Sequence, residues 1–384
     1  MDLYKESLKL HEKHHGKLHT GLNVEINTME DMSLVYTPGV AEPCRKIHDN
    51  KDDAYKYTTK SNTVAVISNG TAVLGLGNIG ATAAIPVMEG KAALFKRFGD
   101  VDCVPICVDE MDTEELIKTI KNIAPCFGGI NLEDIASPQC FEVEKRLDDM
   151  LDIPVFHDDQ HGTAIVVLSA LYNALKVVKK NINEVKVVLN GPGAAGYAII
   201  KMLLEAGVKN VIAVDENGIL SKDNYNHDKE YYKDLVSISN LDNMNGNLAD
   251  ALKDADVFIG VSRPKLVSKE MVKSMNNDPI IFAMANPEPE ISYQDAKEAG
   301  AKVIGTGRSD NPNQINNVLA FPGIFKGALE CRARSITPTM KVAAAKAIAG
   351  TIKDEDLKED YIIPDIFNKE VTNNVAKAII EANK

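Results

Sequence analysis

At 384 residues, 45% hydrophobic and 26% charged, the chain is long enough for two domains, each with its own core, and has an ordinary globular composition. A formal net charge of −12 excludes nucleic acid or an anionic membrane surface as the main partner, while leaving room for a local basic pocket that takes a small acid. The start is polar with no apolar secretory core, no apolar run approaches the roughly 20 residues that span a bilayer, and six scattered cysteines without a zinc spacing read as reduced thiols of a cytoplasmic protein.

Residues 1–15 read as an amphipathic helix with Leu3, Leu8 and Leu10 near one face. His14, His15 and His19 follow, a solvated surface more readily than a metal cluster. In Ser33–Ala41 the pair Pro38-Gly39 makes a turn and leaves Tyr36 at its mouth, where packing is the ordinary role of a tyrosine. Thr63–Ser68 and Thr71–Leu74 read as short strands around Asn69-Gly70.

Gly75-Leu76-Gly77-Asn78-Ile79-Gly80 matches G-x-G-x-x-G and opens a helix over about 79–98. The next acid at a strand end, Asp109, lies 32 residues past Gly77, against roughly 20 for a ribose-binding acid. The motif therefore reads as a tight strand–helix turn. The helix carries Lys91 among small and apolar residues. Half-buried, such a lysine has its pKa lowered enough to act as a base; the bland alternative is a snorkelling side chain with a wet head. The segment at 101–108, with Cys103 and Cys107, reads as a buried strand.

A helix is predicted over 113–123 and a strand near 127–131, which ends in Glu133-Asp134. A further strand, Ile153–Phe156, delivers Asp158-Asp159 and turns into a long apolar helix over 163–179. An Asp pair there caps a helix or binds a cation. Two carboxylate pairs at the ends of successive strands favour the cation, and hard oxygen donors suit Mg²⁺ or Mn²⁺ rather than zinc.

Val185–Leu189 is followed by Gly191-Pro192-Gly193-Ala194-Ala195-Gly196, a helix, and a strand ending at Asp215, 22 residues past Gly193. Strand, glycine turn, helix, strand and acid all have the spacing of a dinucleotide site. Gly191, Gly193, Ala194, Ala195 and Gly196 would lie along the pyrophosphate, and Asp215 would accept from the ribose hydroxyls, which favours NAD over NADP. Strands near 257–261, 280–284 and 302–305 alternate with helices, so a doubly wound parallel sheet is expected. Asn286, at a strand tip before Pro287, forms a turn or donates to a carboxylate or amide. The last sixty residues read as Ala-rich helices.

Taken together the motifs resemble a malic enzyme of the short bacterial and archaeal type: YTPGVA, NGTAVLGLGNIG, EGKAALFKRF, NLEDI, FHDDQHGTA, NGPGAAG, MANPEPEI and NNVLAFPG occur in family order over some 300 residues. The resemblance implies oxidative decarboxylation of L-malate to pyruvate and CO₂ with NAD (NADP as the alternative) and Mg²⁺ or Mn²⁺. By position, Glu133, Asp134 and Asp159 would ligate the metal, and Lys91 would be the base on the C2 hydroxyl with Asp158 tuning it. Tyr36 would protonate C3 of enolpyruvate, and Asn286 and Asn317 would hold the substrate carboxylate. The larger eukaryotic members carry a carboxylate-binding Arg where this chain has Ala72, which leaves that charge partner open. Residues 1–160 would form an α/β substrate and metal domain of the amino-acid-dehydrogenase kind, and residues 161–384 a Rossmann domain whose last helices pack back across the cleft. A homodimer is expected, with Tyr36 or Lys91 lent across the interface.

Three alternatives stand beside this. Malolactic chemistry uses the same site, but its enzymes resemble the longer subfamily. An amino-acid-type dehydrogenase would not need the Glu133, Asp134 and Asp159 set. A dinucleotide sensor would lose Tyr36 or Lys91. No acyltransferase-like extension is visible, so the fused form of the family is not expected.

Overall fold

The computed structural model describes residues 2–226 and 228–384. Two sheets form the frame. The first has the order β2-β1-β3-β4, from β1 (Thr63–Ser68), β2 (Asp102–Cys107), β3 (Gly129–Leu132) and β4 (Val155–His157), all parallel. The second has the order β10-β9-β8-β5-β6-β7, from β5 (Lys186–Asn190), β6 (Asn210–Asp215), β7 (Gly218–Ile219), β8 (Val257–Gly260), β9 (Ile280–Ala283) and β10 (Val303–Thr306). Only β7 runs antiparallel in it.

The central strands are apolar over most of their length because helices cover both faces; every residue of β1 is buried, including Thr63 and Ser68 at its ends. The strand at 102–107 is an exception to its expected burial. It is the edge of the first sheet and only half-buried, with Val104 exposed, and Pro105 fits an edge because it has no N–H for an outer partner. The expected strand Thr71–Leu74 does not form. Ala72 N–H bonds to the Asp134 carbonyl, and the Gly70 carbonyl takes the N–H groups of Ile79 and Gly80. The chain thus folds back over its glycines, and the motif at 75–80 is the tight turn its spacing suggested.

The helices that position the site are α1 (Leu3–His14), α2 (Met29–Val35), α3 (Ala81–Leu94), α4 (Thr113–Ile123), α5 (Gln139–Met150), α6 (Asp158–Val178), α7 (Ala194–Glu205), α8 (Phe321–Glu330), α9 (Pro338–Ala349) and α10 (Lys369–Ala382). Contrary to the reading of the sequence, the 21-residue α6 is long and apolar enough to cross a membrane by length and composition. It is instead mostly buried, and a single core links it to β1, to β5 and to the C-terminal helices α8–α10. Phe95, just after α3, meets the rings of Phe321 and Phe325 of α8 tilted and edge-on, so α8 packs beside the helix that covers the first sheet.

Candidate active site

The first sheet assembles the charged centre. β3 and β4 are neighbours in register, Leu132 beside His157, so the residues that follow both strands emerge side by side. Glu133 and Asp134 come from one tip and Asp158 and Asp159 from the other. Glu133, Asp134 and Asp159 each offer an oxygen within 4.8 Å of the others. Asp134 holds a left-handed backbone, φ 53°, and its N–H donates to Asp159 Oδ2 at 2.8 Å. Strain of this kind persists where the surroundings fix it, and it is common at functional sites.

Lys91 reaches in from α3. Its Nζ lies 2.6 Å from Asp158 Oδ2, 2.9 Å from Glu133 Oε1 and 4.3 Å from the centre of the Phe321 ring. Asn317 also donates to Asp158 Oδ2. Gly162, one turn into α6, leaves the room this needs, since a Cβ there would collide with Asp158 Oδ1. Burial pushes the Asp158 and Glu133 carboxyls up to about 7 and Asp159 to about 6, with the neighbouring carboxylates adding to the rise and Lys91 opposing it.

Lys91 departs from its expected state. It is 8% exposed rather than half-buried. Burial works to lower its pKa, but Asp158 and Glu133 outweigh that and hold it well above the ordinary lysine value. Beside two carboxylates it is an ammonium, the charge that compensates the cluster. Tyr36 ends α2 and is 66% exposed on the N-terminal arm.

The donor set fits a hard divalent cation: three carboxylates within one ligation radius, no sulfur or imidazole among them, and a buried lysine supplying positive charge beside them.

The second sheet presents a different kind of site. Gly191 (φ 98°) follows β5 at the switch point, where β6 and β8 diverge on either side of β5. A Cβ on Gly191 would lie 2.7 Å from Ser262 Cβ; one on Gly196 would collide with the Gly191 carbonyl; one on Gly193 would meet no atom within 4 Å. The first two glycines are required by the fold, and Gly193 leaves open space at the N-terminus of α7, where Ala194 and Ala195 begin the helix. Asp215 ends β6, with Oδ1 accepting from Asn217 N–H at 2.7 Å. Asn286 stands exposed beyond β9, with its carbonyl 3.1 Å from where a Cβ on Gly75 would lie. The first glycine turn and the dinucleotide sheet thus face one another.

Sequence reasoning missed several supporting groups. Asn131 is buried in β3 and donates to Glu133 Oε2 at 2.9 Å. Glu290 is fully buried and accepts from Ser262 and Ala285 N–H, bracing the tips of β8 and β9. Glu144 lies on α5 behind the Asp158 turn. Its signal was available: it falls on the helix face shared by Cys140, Val143 and Leu147, where an acid interrupts an apolar stripe.

A dinucleotide fold facing a buried lysine–carboxylate centre is the arrangement of a dinucleotide-dependent oxidoreductase. Residues 15–148 match the model of the malic enzyme N-terminal domain, and residues 160–383 that of the malic enzyme NAD binding domain. The chain is 57% identical to an NAD-dependent malic enzyme of Geobacillus stearothermophilus, over 96% of this chain and 76% of that protein. It is 53% identical to a bifunctional malic/malolactic enzyme of Bacillus subtilis, over 100% and 93% respectively. The crystal structure of an NAD-dependent malic enzyme from Thermotoga maritima superposes with a TM-score of 0.93 at 50% identity, over 97% of this chain and 98% of that one. The chain belongs to the malic enzyme family, decarboxylating malate dehydrogenases that use a nicotinamide dinucleotide.

Proposed function

We propose that the two sites act together on L-malate, with residues 1–160 as the substrate and metal domain and residues 161–384 as the dinucleotide domain. The observation that carries this reading is Lys91 held between Glu133 and Asp158, beside three carboxylates that fit a divalent cation.

Glu133, Asp134 and Asp159 would hold Mg²⁺ or Mn²⁺. When bound, the cation would supply Lewis-acid stabilisation of the negative charge that develops on the C2 oxygen as CO₂ leaves. Lys91 takes the C2 hydroxyl proton; a dinucleotide held at the Gly191–Gly196 turn would supply the acceptor for the C2 hydride. To act so, Lys91 must first give up its own proton, and Asp158, bonded to its Nζ at 2.6 Å, is the acceptor in contact. Asn317, already bonded to Asp158, and Asn286, facing from the other sheet, orient the substrate carboxylate.

Protonation of C3 falls to Tyr36. Its exposure, on an arm that also exposes Leu8, Leu22, Met29 and Leu34, supports a homodimer in which a second copy completes the site. The carboxylate of Asp215 and the NAD-dependent relatives support NAD as the preferred cofactor. Six free thiols and the acidic charge support a cytoplasmic location.

Malolactic turnover is the second reading. The ground for setting it aside, that such enzymes resemble longer chains, does not hold: the Bacillus subtilis relative, bifunctional by name, is covered over 93% of its length. The experiment follows reduced nicotinamide by its absorbance with L-malate, Mn²⁺ and NAD⁺ or NADP⁺, assaying pyruvate and lactate in parallel. Reduced cofactor matched by pyruvate is expected. Lactate without net reduced cofactor would replace this reading with the malolactic one.

A further inference from the structure

FHDDQHGTA contributes two aspartates to the centre, which leaves its glutamine and second histidine without a role. Both point to one carboxylate. Glu144 Oε1 accepts the His157 backbone N–H at 2.9 Å, while Oε2 accepts Gln160 Nε2 at 3.2 Å and pairs with His161 Nε2 at 2.9 Å. A single side chain from α5 thus grips the β4–α6 turn on both sides of residues 158 and 159. The aspartates it brackets are those that face Lys91 and Asp134.

The turn needs such support. His157 provides no side-chain cap for α6, so the first N–H groups of that helix lack the usual local acceptor. Gly162 cannot stiffen it either, since its missing Cβ is what accommodates Asp158. Burying a carboxylate is costly unless it is paired and hydrogen-bonded. Glu144 is both. Burial works to raise its pKa, while the bond from His161 and the nearby Lys341 of α9 lower it, so Glu144 grips as a carboxylate; burial also pulls the His161 pKa down, so its ring serves as a hydrogen-bond partner rather than a charge. The connection to the ligand cluster is short: His157 lies 3.9 Å from Asp159 Oδ2, which also accepts the Asp134 N–H.

We infer that Glu144 is a positioning residue for the divalent cation, bracketing Asp158 and Asp159 so that Asp159 meets Glu133 and Asp134 within one ligation radius. The inference rests on the metal reading above. Groups that orient ligands in this way typically change metal affinity by about 10–100-fold when removed.

The test is Mn²⁺ binding to the full chain, read from the free-ion electron paramagnetic resonance signal, with NADH binding measured on the same samples by fluorescence. Glu144→Gln is expected to weaken Mn²⁺ about tenfold or more, with NADH affinity unchanged, and Glu144→Asp to fall between it and the wild type. Mn²⁺ affinity equal to wild type in Glu144→Gln, or an equal loss of Mn²⁺ and NADH affinity, would overturn the inference. Should Glu144→Gln not fold, His161→Gln removes one partner of the grip: weakened Mn²⁺ binding supports the inference and unchanged binding refutes it. Asp159→Asn is the control for the site itself. If wild type and Asp159→Asn bind Mn²⁺ alike, the metal reading has failed, and this inference with it.

Discussion

The two halves of the cleft solve opposite problems. The first sheet gathers four carboxylates and an ammonium in one largely buried cluster, so its residues are bound by side-chain charge and by what lies behind them. The second sheet clears space: Gly191 and Gly196 let backbone approach backbone, and Gly193 leaves room for a ligand. The charged centre is therefore sensitive to any change in its supports. The dinucleotide turn is sensitive to added volume and indifferent to most else.

Substitutions separate the two. The largest effect is expected for Gly162→Ala. In an exposed helix interior this exchange would stabilise by about 1 kcal/mol, yet here the new Cβ collides with Asp158. Both melting temperature and malate turnover should fall, and a variant as stable and active as wild type would contradict the packing described for α6. Lys91→Ala should lower kcat by about 10²–10⁴-fold, the usual worth of a proton-transfer group. NADH affinity should stay near normal; retained turnover would remove Lys91 as the base.

Gly193→Ala is the complementary case. Its Cβ meets nothing in the protein, so the melting temperature should not move, while KM for NAD⁺ rises by about tenfold, equivalent to about 1.4 kcal/mol of binding. A fall in stability instead would mean the space is structural. Asp215→Ser should shift the ratio of kcat/KM values toward NADP⁺ by a few-fold without altering Mn²⁺ binding.

The smallest effect comes from a carboxylate outside both sites. Asp256 is opposed by burial, but its bonds from Lys180, Lys186 N–H and Asn276 hold its carboxyl below the ordinary range, opposite in direction to Asp158. A folded-state pKa below the unfolded one means its contribution to stability is present above the unfolded pKa and lost as pH falls through the folded value. Asp256→Asn should therefore flatten the acid limb of a denaturation-against-pH curve slightly. An unchanged limb would show that Asp256 adds nothing to acid stability.

Much of this was legible beforehand because local chemistry carries its own address. Two carboxylate pairs after two apolar runs read as the tips of successive strands, and the spacing from Gly193 to Asp215 identified the cofactor sheet without reference to anything distant. The strand expected at Thr71–Leu74 was misread because apolar content was visible while the destination of the Ala72 N–H was not.

Composition and periodicity alone determined the alternation of strands and helices, the glycine turns and the identity of the acids, since these follow from backbone sterics and the burial of apolar faces. Only the tertiary structure decided the state of Lys91. A lysine in an apolar helix reads as a base with a lowered pKa until Glu133 and Asp158, remote in sequence, are found within 3 Å of it. The same holds for Glu144, whose role depends on three donors from a turn more than ten residues away. Charge interactions act through space, and for these residues the relevant neighbours are set by the packing of α3, α5 and α6, which no local pattern encodes.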